Sequence, residues 1–357
     1  MNPLQIRGVQ MFVMFMLAIG ITNHVVVVPL ILQAAHRDAW ISALCAIPLV
    51  VIWVTVIYLI IRLTQQQSLY DWFKSHYNKP VAAILLIPFL LLLLIVIFIT
   101  VRDSSTWTKV TYLPRTPYGV TVGLFVFAGM LAAMRGLRTI VIASGVLLPF
   151  VILFGLFVMT VNFQYKDYSY LFPVLTQGYK PVMQGIPYVL SGMIELIFIV
   201  CVQQYLSNKA GLKSLVLWSL GITGLVFGPL MASIAIFGPF EASDQRYPAF
   251  EQWRMVAIGK FISHLDFLSI YQWLSGALIK ISFSLFLLFD LLRLTHNRFK
   301  WLWMLLFCSL LVAVESRWKI SDASFFNWMY EVVFPIEFGF FYLFPFLLLT
   351  LIYFKRR

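Results

Sequence analysis

The chain has 357 residues, of which 61% are hydrophobic and only 11% charged, and it carries a formal net charge of +12. Soluble domains average roughly 25% charged residues, and a water-soluble fold could not hide this much apolar surface. The composition excludes a soluble globular domain and makes the lipid bilayer the solvent.

Several apolar runs reach the roughly 20 residues that a helix needs to cross a bilayer. Ten spans are expected, at 9–34, 39–62, 80–101, 118–134, 139–161, 182–206, 212–239, 267–291, 299–315 and 334–354. The first run, Met11 to Leu32, is too long for a signal-peptide core, lacks a small-x-small cleavage site and is followed by many further spans, so it reads as a transmembrane helix. Cys45, Cys201 and Cys308 fall inside apolar runs with no metal-type spacing and read as small buried hydrophobes. With the N-terminus inside, the inner loops and tails hold fourteen Lys/Arg, among them Arg62, Arg135, Arg138, Lys209, Lys213, Arg293 and Lys300, against one acid, Asp71. Outer segments hold eleven Lys/Arg and ten acids. The excess positive charge lies on one face, as the positive-inside rule requires, and both termini are expected in the cytoplasm. Basic residues beside helix ends hold topology and meet anionic lipid, so the charge does not point to nucleic acid. The longest outer segment, Phe240 to Asp266, contains an amphipathic stretch, Phe250 to Phe261, that reads either as a lid helix or as an ordinary connecting helix.

Two spans carry helix-breaking residues near mid-membrane. Span 1 has Gly20-Ile21-Thr22-Asn23 with Pro29 beyond, and span 6 has Gly185, Pro187 and Ser191-Gly192. Broken helices are tolerated in a membrane only against protein or a water-lined cavity. The first and sixth of ten spans are corresponding positions in two five-helix halves, which is the pattern of inverted-repeat transporters. In such folds the half-helix N-termini offer N–H groups and positive dipole ends to a carboxylate. The expected fold is therefore all-α and polytopic: one transmembrane domain over 1–357, with repeats over roughly 9–161 and 182–354 and discontinuous helices 1 and 6. The alternative for these glycines is close helix packing alone.

Ionisable residues within spans cost roughly 2.5–3.5 kcal/mol each at a helix centre on insertion scales, so each needs a reason to be there. Glu195 lies one turn after Ser191, and Lys280 lies one turn after Gly276 and two after Trp273 on a shared face. In an inverted-repeat fold spans 1, 6 and 8 surround the central cavity. There Lys280 would hold span 8 against span 1 where sodium-driven relatives place a coupling cation, and Glu195 would face a ligand or pair with Lys280. A purely structural ion pair is the alternative. Asp290, one turn from Arg293, reads as snorkelling to water; Glu337 falls near the outer end of span 10, and His24 follows the span 1 break. There is no phosphate-binding glycine loop, metal-ligand cluster or nucleophile–base arrangement, so neither an enzyme nor a cofactor is expected.

An ordered set of short motifs resembles the spore germination permeases, the B subunits of endospore germinant receptors. It comprises Arg102-Asp103 with Leu113-Pro114-Arg115-Thr116-Pro117, Gly136-Leu137-Arg138, Phe172-Pro173-Val174 with Gly178 and Lys180-Pro181, and Glu195. It continues with Tyr247-Pro248-Ala249-Phe250, Phe261, Leu265-Asp266, Trp273 and Lys280-Ile281-Ser282. The resemblance implies an amino acid/polyamine/organocation transporter-type fold, residence in the inner membrane of a spore, and a complex with an A subunit and a lipoprotein C subunit. It further implies recognition of a small nutrient such as an amino acid between helices 1, 3, 6 and 8, at Gly20, Ile21, Thr22, Asn23, Ser191, Gly192, Glu195, Trp273 and Lys280. Span 1 departs from the pattern, because Asn23-His24 follows Gly20 where relatives often show more small residues. A proton-coupled amino-acid transporter, working through Glu195 or Lys280, is the second reading.

Overall fold

Among the described residues every regular element is a helix. The computed structural model describes residues 5–259 and 263–356. Helix α1 runs Gly8–Ile21 and continues through a π-helical turn, Thr22–Val27, into Val28–Ala35. Then come α2 (Ala39–Leu63), α3 (Leu69–His76), α4 (Lys79–Thr111), α5 (Tyr118–Arg135) and α6 (Leu137–Val161). Helix α7 begins as Lys180–Met193, tightens to 3-10 geometry at Ile194–Phe198 and goes on through Ile199–Val202 and Gln203–Tyr205. It is followed by α8 (Leu212–Asp244), α9 (Pro248–Arg254), α10 (Leu268–Leu291) and α11 (Lys300–Arg317). Helix α12 starts at Asp322–Trp328 and passes through π turns at Met329–Val333 and Glu337–Phe341 to Phe344–Arg356.

Among the described residues eight stretches are long and apolar enough to cross a membrane. One of them, Gly8–Leu63, holds both α1 and α2, which are separated by the turn His36–Asp38. Helix α11 falls outside the eight because Lys300, Glu315 and Arg317 lie within it. The apolar window of α7 is 94% buried and that of α10 is 78%, against 17% for α6. Helices α7 and α10 are thus the core of the bundle, while α6 turns most of its surface to lipid.

Helices α1 and α7 differ from the expected discontinuous helices: neither is unwound. Pro29 has no N–H for the carbonyl of Val25 and its ring crowds that carbonyl, and the turn before it widens to π geometry. The backbone there stays helical (Ile21 φ −64, ψ −40; Val27 φ −79, ψ −35), so α1 presents no free half-helix N-terminus. In α7 the irregularity after Gly192 tightens the helix instead. The glycines serve close approach. A Cβ at Gly185 would overlap Ser42, whose hydroxyl donates to the Val182 carbonyl at 3.0 Å, and a Cβ at Gly192 would overlap Asn23.

Other boundaries shift for polar reasons. Helix α4 continues to Thr111 instead of ending near 101, because Arg102 and Asp103 find partners inside the protein. Arg102 donates to the Trp318 and Ile320 carbonyls at 3.0 and 2.8 Å and pairs with Glu315 at 3.4 Å. Helix α12 begins at Asp322 instead of near 334. Among the described residues of the amphipathic outer segment the helix is Pro248–Arg254, where Phe250 and Trp253 are buried; Phe261 lies outside the described residues. Asp290, expected only to snorkel to water, is half-buried and also accepts the Tyr205 hydroxyl at 2.9 and 3.0 Å, which fastens α10 to the end of α7, while Arg293 pairs with Asp71. The start of α1 is tied to the same end of α7, with Ile6 N–H on the Tyr205 carbonyl and Ser207 N–H on the Ile6 carbonyl, each at 2.9 Å.

Candidate functional site

The widened turn of α1, the tightened turn of α7 and the middle of α10 meet in the core. The Lys280 ammonium lies 2.5 Å from Glu195 Oε1 and also donates to the Thr22 hydroxyl. Thr22 in turn donates to Glu195 Oε1 at 2.8 Å. One hydroxyl can accept from lysine and donate to a carboxylate at once, so the three groups close a ring of charge-assisted bonds. The Lys280 and Glu195 side chains are only 5% and 9% exposed. Each charge depends on the other for compensation, since a buried charge without a partner is costly.

The remaining predicted residues surround this ring in two different ways. Gly20, Ile21 and Trp273 line a cavity of about 540 Å³ on the other side of α1. Ile21 packs where a side chain at Gly276 would otherwise stand, with only 2.9 Å between its Cβ and the position of a Gly276 Cβ, so α1 and α10 touch there. Trp273 stacks on Trp107 with centroids 4.0 Å apart and donates to Ser104 at 3.1 Å. Asn23, Ser191 and Gly192 point elsewhere. Asn23 donates to the Ile222 carbonyl of α8 at 3.3 Å, and its Oδ1 lies against Gly192 with no hydrogen bond. Ser191 donates to the Phe334 carbonyl at 2.9 Å, joining α7 to α12. These three residues hold helices together.

Two carboxylates that sequence reasoning did not place in the centre are there. Glu337 is 6% exposed and, with Glu195, Lys280, Thr22 and Asp103, lines a space of about 20 Å³, enough for roughly one water molecule. No described residue donates a hydrogen bond to Glu337. Its central position follows from the early start of α12: the aromatic run Phe325 to Phe334 belongs to the span, which moves Glu337 from a helix end to mid-helix. Extending span 10 back across that run would have found it.

A family model described as spore germination protein matches residues 5–319. The chain belongs to the spore germination protein family. It is 37% identical over 343 residues to spore germination protein XB of Bacillus anthracis, covering 95% of each chain. It is 23% identical over 297 residues to the putative spore germination protein YfkT of Bacillus subtilis strain 168, covering 82% of this chain and 80% of the relative. Thr22, Glu195 and Lys280 lie inside the stretch that matches the family model, and Glu337 lies past its end.

In this spore germination protein the second central carboxylate, Asp103, belongs to a polar roof. Arg246, in the link between α8 and α9, donates to Asp103 at 2.5 Å and pairs with Asp322 at 3.2 Å. Burial opposes the charge on Arg246, but Asp103, Tyr247 and Asp322 together outweigh it and the guanidinium pKa is raised. The same guanidinium lies 4.4 Å over the Tyr247 ring, and Tyr247 meets Trp273 edge-on at 5.4 Å. Ion pair and aromatic layer together seal the polar ring from this end of the bundle.

Proposed function

We propose that this membrane protein is the nutrient-sensing subunit of a spore germinant receptor, binding a small zwitterion such as an amino acid between α1, α4, α7 and α10. The observation that carries the reading is the buried Thr22–Glu195–Lys280 ring. It holds both signs of charge at the meeting point of three helices, where a ligand carboxylate could move onto Lys280 and a ligand ammonium onto Glu195. The space of about 20 Å³ beside the ring is too small for an amino acid. Binding therefore needs Lys280 and Glu195 to separate, which gives a closed state and an open one. A ligand with higher affinity for the open state shifts that balance, and partner subunits can read the shift.

In this proposal ten spans form two inverted five-helix repeats in the inner spore membrane, with both termini in the cytoplasm. An A subunit and a lipoprotein C subunit are the partners. Spores carrying Lys280→Met together with Glu195→Gln, which removes both charges and leaves neither one unpaired, are the test, scored by dipicolinate release across a panel of amino acids, sugars and nucleosides. Loss of response to one nutrient class at normal protein level is the expected result; an unchanged response to every nutrient refutes the role of the ring. Accumulation of labelled amino acid by vesicles carrying this chain alone would establish the proton-coupled transporter instead.

A further inference from the structure

The cavity beyond α1 has a chemistry of its own. Helices α6 and α8 both pack on α1 but scarcely touch each other, which leaves a crevice with α1 as floor. Its α6 wall includes Ile152, Leu156 and Met159, each about half exposed, so it opens sideways on a surface that meets hydrocarbon in a membrane protein. Most of the polar side chains along it are already engaged. Gln252 donates to Ser233 at 2.9 Å, Gln272 donates to the Val151 carbonyl at 2.8 Å and accepts from Trp253 at 2.8 Å, and His24 hydrogen-bonds the Leu225 backbone. Water needs two to four polar partners to stay in a cavity, and this wall offers few. An apolar body fits it.

One charge stands at the end of the crevice, on the segment that follows α6. Lys166 donates to the Met159 carbonyl at 3.2 Å and lies 6.0 Å over the Phe163 ring, and no described carboxylate pairs with it. Burial lowers its pKa, as expected of an ammonium that has lost water without gaining a counter-ion. An anion at this position would supply what the protein does not.

We propose that the crevice between α6 and α8 binds an acyl chain of an anionic membrane phospholipid, with the headgroup on Lys166. The chain lies against Gly20, Ile21 and His24 of α1, while the neighbouring Thr22 faces the Lys280–Glu195 pair on the other side of the same helix. An occupied crevice supports α1 against α10 and favours the closed ring. Only this regulatory consequence rests on the sensing role proposed above; the lipid site stands without it.

The test uses the purified full chain, stripped of lipid and equilibrated with vesicles of phosphatidylglycerol or phosphatidylcholine, with retained lipid measured by native mass spectrometry. Wild-type protein should retain phosphatidylglycerol in preference. Lys166→Gln should reduce that preference about fivefold, the worth of one lysine near an anionic headgroup. Gly228→Phe projects a ring into the crevice from a position with no atom within 4 Å, and should abolish retention of both lipids at an unchanged melting temperature. Gly224→Leu, equally unobstructed, replaces it if that variant does not fold. Equal retention of the two lipids by wild-type protein, or full retention by the folded crevice-filling variant, overturns the proposal. So does displacement of phosphatidylglycerol by an equimolar free fatty acid, which would assign the site to a single-chain anion.

Discussion

Lys280→Met isolates the central ion pair, because methionine keeps the apolar stem and removes only the ammonium. Glu195 then loses its cationic partner, and Thr22 loses a donor. Both side chains of the pair are less than a tenth exposed, so solvent screens little of the effect. Removing one member of a buried pair costs about 3–5 kcal/mol, whereas replacing both by neutral groups of similar size is often close to neutral. The single variant should therefore lose about 3 kcal/mol or more, and adding Glu195→Gln should restore most of it. With a similar cost for Glu195→Gln alone, the coupling energy should be about 5 kcal/mol, above the roughly 0.5–3 kcal/mol range usual for groups in one network. Denaturant unfolding of the purified chain in detergent, followed by tryptophan fluorescence, measures all corners of the cycle. A Lys280→Met cost below about 1 kcal/mol, or costs that simply add in the double variant, would refute the view that the two charges compensate each other.

Three further outcomes follow from the same packing. Glu337→Gln removes a buried carboxyl group that accepts no hydrogen bond from a described residue, so the unfolding midpoint should stay level or rise, in contrast to Glu195→Gln; a clear loss of stability would show that Glu337 has a structural partner. Arg246→Gln leaves Asp103, 3% exposed, without its cation and should cost about 3 kcal/mol, whereas Arg254→Gln breaks an exposed pair and should cost less than about 1 kcal/mol; equal costs in unfolding measurements would remove the case for a sealed roof. Gly192→Ala should destabilise by about 1–3 kcal/mol because its Cβ meets Asn23, while Gly224→Ala, with open space around it, should be neutral or slightly stabilising; thermal melting that ranks them the other way would contradict the close approach of α1 and α7.

Much of the site is legible in local chemistry. Thr22, Glu195 and Lys280 stand out because a hydroxyl beside a helix irregularity and two charges inside apolar runs need reasons to be there. The sequence places the irregularities correctly, but their geometry differs: α1 widens and α7 tightens where unwound breaks are expected. Proline, glycine and threonine show where an α-helix is weakened, but whether it unwinds, widens or tightens depends on the helices packed around it. Asn23 and Gly192 illustrate this: side chains that read as lining a gap between half-helices fill the contact between two intact ones.

Composition alone decides that this chain is a bundle of helices in lipid, because 61% hydrophobic residues leave no other solvent and each helix satisfies its own backbone there. Order along the chain also carries the family, since the family model matches residues 5–319. Tertiary structure decides which charges share a space. Arg102 and Asp103 read as an outer loop and lie inside α4, Glu337 reads as a helix end and lies in the centre, and Arg246 reads as one more loop cation and closes the roof over Asp103. The physical reason is that hydropathy ends a span at a charge, whereas a folded bundle can supply that charge with a partner from a distant helix and continue the span through it.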